Sequence, residues 1–381
     1  MNVKHVVLNF IVVGIIACSP NQEYPAENTT CTGEGCPVTD MVLIVGGSPY
    51  RELTGCTWNK EHFIPYVSYT DRTNKEHSLF DGFLFLEIVY HDYQNGGVHV
   101  YDFSTRSEKE PARKIHWKAL ADYYFQSGIA IDALDKCIAE AEQRLNTGKK
   151  RKVVVVIPEP ITAGPNTIYP ETPVDYWGEI DGVTLDFTND SDRITACKWY
   201  IDYVRQRFTE GNFQHLELTG FYWVAELSLD TESIISDIAD YLNQWKYSFN
   251  WIPYWKENKA NPDYHEWKSL KFTYAYLQPN YFTNVPYSRL ADACNVARQY
   301  DLDLEVEFDN KVLVNNGNRG NMLRDYMQAF RENNVLPTKR LSYYQDTDAL
   351  YRLYLGTDER EIDLFHDFCA FVLDHQSQYR P

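Results

Sequence analysis

The sequence predicts an α/β fold, a single (β/α)8 barrel domain behind a short exported leader. Three observations carry this. Eight apolar runs of strand length alternate with stretches of helical spacing along one segment. Val153–Ile157 is five β-branched residues in a row, a strand buried on both faces, as parallel sheets require. Several runs end in acids, amides or rings, the types that barrel enzymes place on the carboxyl rim of their strands. The chain has 381 residues, 44% of them hydrophobic, so it can bury a full core and is no disordered chain.

The leader comes first. Lys4 and His5 precede the apolar runs Val6–Leu8 and Phe10–Ala17, together too short to span a bilayer. Ile15–Ile16–Ala17–Cys18 resembles a bacterial lipobox, which implies removal of residues 1–17 and acylation of Cys18. Ser19 after the cysteine resembles lipoproteins sent on to the outer membrane, so the expected location is the cell envelope. Residues 18–40 are polar and rich in Pro, Thr, Gly and Glu, a flexible tether to a barrel domain over 41–381. Of eight cysteines, Cys31 and Cys36 could bridge in an oxidising compartment. The scattered others read as small buried apolar groups.

The alternation then begins. Met41–Gly46 is a first strand, stopped by Gly46-Gly47, and Leu79–Ile88 a second. Trp117–Leu145 has helical spacing broken near Gly128. Val153–Ile157 is the third strand, ended by Pro158. A helix follows at Asn189–Phe208, then a fourth strand at Leu216–Ala225 and a helix capped by Asp230. Phe249–Trp255 and Phe272–Leu277 are the fifth and sixth strands, with a helix at Tyr287–Tyr300. Leu302–Phe308 is the seventh, followed by the helix Asn318–Asn333. Leu341–Tyr344 is the eighth, and Glu359–Leu373 the closing helix. Segments 89–116 and 158–190 read as rim loops. An open doubly wound sheet is the competing fold, but Gly46-Gly47-Ser48 is only a faint echo of its phosphate loop.

Two glutamates stand out. Glu226 closes the run Leu218–Ala225, and Glu307 closes Leu302–Val306. Strand alternation puts Gly220, Tyr222, Val224 and Glu226 on one face, and Asp303, Glu305 and Glu307 on another. An unpaired charge turned toward the helix layer would cost several kcal/mol, so these acids should point inward near the mouth. Two rim carboxylates from different strands form the pair that cleaves glycosidic bonds. Around them the strand ends offer Glu87, Glu159, Trp251, Tyr254, Trp255, Tyr276, Gln278, Asn280, Tyr344 and Gln345 as candidate substrate contacts, with Tyr222 and Glu305. Acids and amides bond hydroxyls, rings stack on C–H faces, and almost no Lys or Arg intrudes, so the lining suits a glycan.

At these residues the chain resembles the retaining glycosidase barrels, whose acid/base Glu follows strand four and whose nucleophile follows strand seven. The segments Asp81–Glu87, Pro158–Pro160, Thr219–Glu226, Tyr276–Phe282, Leu304–Asp309 and Tyr343–Asp346 look more closely like an uncharacterised family of bacterial lipoproteins with a domain of unknown function. The resemblance implies a glycoside hydrolase with Glu226 as acid/base, its pKa raised by neighbours, and Glu307 as nucleophile. Ala225 departs from the Asn that such glycosidases carry before the acid/base, so either another group, such as Gln278 or Asn280, replaces its sugar contact or the chemistry differs. A non-catalytic glycan-binding lipoprotein on the same scaffold is the alternative.

Other chemistries have less support. The formal net charge of −18 argues against a nucleic-acid partner. No cofactor motif and no metal-ligand spacing is present; His91, His99 and His116 fall at irregular intervals. No Gly-x-Ser-x-Gly elbow appears.

Overall fold

The computed structural model describes residues 38–93, 97–105, 109–163, 169–228, 231–255, 263–281 and 285–380. Cys18, Cys31, Cys36 and the expected cap Asp230 lie outside them. Eight strands form the centre: β1 (Asp40–Val45), β2 (Gly82–Leu86), β3 (Arg151–Ile157), β4 (Leu216–Trp223), β5 (Ser248–Trp251), β6 (Tyr274–Leu277), β7 (Asp303–Glu307) and β8 (Leu341–Tyr344). Each pairs in parallel with the next, and β8 pairs with β1, so the sheet is a closed barrel with no edge. Closure rules out the open doubly wound alternative.

Local chemistry sets the boundaries. Gly128 has a φ of +79°, where L side chains are strained, and there the long apolar pattern splits into helices Lys114–Tyr124 and Ala130–Leu145. The fifth run stops at Trp251 because Pro253 cannot donate to a ladder; Tyr254 makes only an isolated bridge to Gln278. In β4 the register slips between Leu218 and Gly220. A Cβ on Gly220 would sit 2.0 Å from Ser248 Oγ, so only glycine lets β4 and β5 approach there.

Some elements carried no sequence signal. Helix Lys60–Val67 lies between β1 and β2, with Asn59 accepting a capping hydrogen bond from the His62 amide. Its interior Pro65 disguises it. The expected loop 89–116 contains a three-stranded sheet of Val89–Asp92, His99–Asp102 and Glu110–Pro111. Cys56, Cys137, Cys197, Cys294 and Cys369 are buried and unbridged. Among the described residues no helix is long and apolar enough to cross a membrane.

A buried ion pair joins the first strand to the last helix. Asp40 Oδ1 accepts from Tyr343 OH and from His375 Nδ1, each at 2.6 Å. His375 Nε2 donates to the Lys339 carbonyl at 2.9 Å. All three side chains are fully buried. Burial works against charge on His375, but Asp40 and the Lys339 carbonyl outweigh it and hold the imidazole above its usual value. Its contribution to stability is therefore present below about pH 6.5 and is lost as pH rises through the elevated value. His375→Ala should cost about 3–5 kcal/mol at about pH 6, by leaving Asp40 unpaired. In urea melts the gap from the unsubstituted protein should narrow toward about pH 9.

Candidate active site

Past the end of β4 at Trp223 the chain runs through Val224 and Ala225 to Glu226, and β7 ends on Glu307. Tyr222, Val224 and Glu226 line one cavity together with Glu305 and Glu307, as the alternation predicts. Gln278 and Asn280 after β6, Tyr344 on β8 and Ser104 complete its polar side; Ile252 after β5, Leu43, Leu86 and Ile88 form an apolar wall. The cavity measures about 140 Å³. A void of about 150 Å³ holds one benzene ring, so this one has the size of a single six-membered ring. Among the described residues no Lys or Arg lines it.

Glu307 is 5% exposed. Its Oε2 accepts from the Asn280 amide at 2.6 Å and from Tyr326 OH at 2.8 Å. Asn280 has a φ of +53°, a left-handed turn that asparagine tolerates and that delivers its amide to the carboxylate. Tyr326 stands fully buried on helix Gly320–Glu332 and also accepts from the Tyr281 amide at 3.3 Å. Burial pushes the Glu307 carboxyl up to about 7. The two donors hold it down, the charge of Glu226 raises it, and Arg289 lowers it.

Glu226 is only half-buried. Glu305 is 2% exposed and accepts from Ser342 Oγ at 3.3 Å. Arg289 approaches from outside the lining and is anchored on the rim. Its guanidinium lies 4.3 Å from the Trp255 ring centroid, and it donates to the carbonyls of Trp255 and Pro279.

Several predicted contacts do not line this cavity. Glu87 is fully buried under a bidentate Arg51, with both contacts at 3.0 Å. Glu159 accepts from the Thr105 amide at 2.9 Å, tying down the segment after β3. Trp251 stacks on Phe272 at 4.8 Å and donates to the Ala225 carbonyl at 2.8 Å. Tyr254 donates its amide to the Glu226 carbonyl at 3.3 Å, while Trp255 is covered by Arg289. Tyr276 is fully buried, one pleat repeat below Gln278. Gln345 bonds Tyr66, the Leu350 amide and the Leu43 carbonyl. These residues hold the rim in place. Tyr326 escaped the sequence reading because it sits mid-helix, where a buried ring reads as core.

No group of three or more His, Cys, Asp or Glu among the described residues could hold a metal ion. His91 is bonded to Ser48 and His116 to the Arg113 amide.

Residues 40–370 match the family model described as a domain of unknown function (DUF4855), and the chain belongs to that family. Among solved structures it is similar to a mutant tryptophan synthase α-subunit from the hyperthermophile Pyrococcus furiosus. That match has 8% identity, covers 89% of this chain and 98% of that one, and has a TM-score of 0.33. Concanavalin B matches at 11% identity over 63% of this chain and 76% of its own, with a TM-score of 0.33. A carboxyl transferase domain of Rhizobium etli pyruvate carboxylase matches at 6% over 90% of this chain and 48% of its own, with a TM-score of 0.37. No curated protein matches the sequence.

Tyr326→Phe removes one of two donors to the Glu307 carboxylate. The carboxyl midpoint should rise above about 7. The expected rise is about one to two pH units. Carbon-13 NMR of labelled glutamate, assigned against Glu307→Gln, measures it.

Proposed function

We propose that this DUF4855 protein is a glycoside hydrolase acting on a polysaccharide or oligosaccharide. One observation carries the reading: carboxylates from the ends of β4 and β7 line a single small cavity. In the proposed double displacement, Glu226 protonates the leaving oxygen while Glu307 attacks the anomeric carbon. Water, deprotonated by Glu226, then cleaves the glycosyl ester and the configuration is retained. The paired donors on Glu307 Oε2 favour its ionised form, as a nucleophile needs. Gln278 and Asn280 donate their amide N–H groups to the carbonyls of Ile252 and Trp255. Their side-chain oxygens remain to accept sugar hydroxyls, a role that Ala225 cannot fill.

The raised Glu307 carboxyl favours a second assignment, with Glu307 as proton donor and Glu226 as its partner. The pH profile separates the two. A nucleophilic Glu307 must be ionised, so kcat/KM rises as pH passes about 7; an acidic Glu307 must be protonated, so kcat/KM falls there. Glu226→Gln and Glu307→Gln should each lower turnover at least about 10³-fold while the protein stays folded, read by circular dichroism. Glycan binding without released sugar, across plant, host and microbial polysaccharides, would instead favour the non-catalytic reading.

We also propose anchoring to the cell envelope through an acylated Cys18, on the strength of Lys4, the apolar run and Ile15–Ile16–Ala17 before it. Mass spectrometry of the mature amino terminus should find a lipid on Cys18, and Cys18→Ala should release the protein from membranes.

A further inference from the structure

A second cleft opens on the same rim, with a volume of about 300 Å³. It lies among the segments that follow β1, β7 and β8. Two strand ends link it to the first cavity. β7 leads to Glu307 in one and Asn310 in the other, and β8 gives Tyr344 to one before Asp346 in the other. Two residues of extended chain span at most about 7 Å, so the cavities are neighbours.

The lining is polar and pre-set. Arg51 is fixed by Glu87 and donates Nη1 to Thr347 at 3.0 Å. Arg352 Nε is engaged by Asp348 at 2.7 Å. Tyr50 is 42% exposed, and its ring stacks on His91 at 4.7 Å. His91 is itself held by Ser48 at 3.0 Å.

One acceptor in this cleft lacks a donor and a second is weakly held. Asn310 Oδ1 is buried and accepts no hydrogen bond among the described residues. Asp346 is half-buried; among the described residues its one side-chain hydrogen bond is a long 3.5 Å contact from Thr347, and the charge of Arg51 acts on it. Its backbone is left-handed at φ +58°, a conformation concentrated at functional sites. A ligand that satisfies both acceptors must bring donors. A bare metal ion fits poorly, because two guanidinium groups line the same space. A sugar ring supplies hydroxyl donors and a C–H face for Tyr50.

We propose that this cleft is a second saccharide subsite, taking a hydroxyl-rich ring beside the one held at Glu226 and Glu307. Its place along one glycan rests on the hydrolase reading; its affinity for a sugar ring does not.

The test is an NMR titration of the full chain with glucose, galactose, mannose and N-acetylglucosamine, and separately with ammonium and calcium chloride. At least one sugar should give saturable shifts at the Asn310 and Thr347 amides below about 0.1 M. Asp346→Gly, which keeps the left-handed backbone, should weaken that binding about ten-fold or more, and shifts at Gln278 and Tyr344 should persist. Asn310→Ala should weaken it too, and decides the matter if the glycine variant does not fold. The proposal is overturned if no sugar saturates these signals, if ammonium or calcium alone does, or if the variants bind as the unsubstituted protein does. Sugar binding without hydrolysis of any glycan would sink the hydrolase reading and leave the subsite standing.

Discussion

A carboxylate inside a closed parallel barrel has no bulk water to solvate it. Each must find a cation, a set of hydrogen-bond donors or a proton, because an unpaired buried charge costs several kcal/mol. This constraint explains the arrangement of acids in the molecule. Asp40 meets it with His375 and Tyr343, and Glu87 with Arg51. Asp303 meets it with Arg340, whose amide donates at 2.8 Å and whose side chain bonds at 3.3 Å. These pairs join strands to distant parts of the chain, so the same charges that threaten the core also fix its closure.

Glu307 satisfies the constraint differently. Neutral donors take the place of a cation: a backbone amide from the β6 rim and a phenol from an outer helix converge on one oxygen. The carboxyl they hold lines the cavity. Under heavy burial such a group titrates near neutrality, where a proton can move in either direction. Glu226 sits nearer solvent, and its charge reaches Glu307. Two acids in unlike surroundings sharing one small cavity are the arrangement that acid–base chemistry uses.

The rest of the rim is scaffolding. Trp251, Glu159 and Gln345 spend their polar atoms on nearby backbone and leave little for a ligand. Among the described residues, one buried acceptor without a donor, Asn310 Oδ1, belongs to a residue of the cleft beside β8, and another, Ser104 Oγ, to a residue lining the first cavity.

By itself the sequence determined the barrel, seven of whose strands differ from their predicted runs by a few residues at the ends while Leu341–Tyr344 agrees at both. It also determined that Glu226, Glu305 and Glu307 look inward. Both follow from local rules: apolar period fixes strand and helix, and the two-residue pleat fixes the face. Only the tertiary structure decided which strand-end acids line the cavity. Glu87 and Glu226 look alike in sequence, each closing an apolar strand, yet Arg51 arrives from another segment to occupy one of them. Tyr326 likewise reaches Glu307 from the following helix. Such pairings depend on which loops and helices meet at the rim, and nothing in the spacing along one strand encodes what arrives from another.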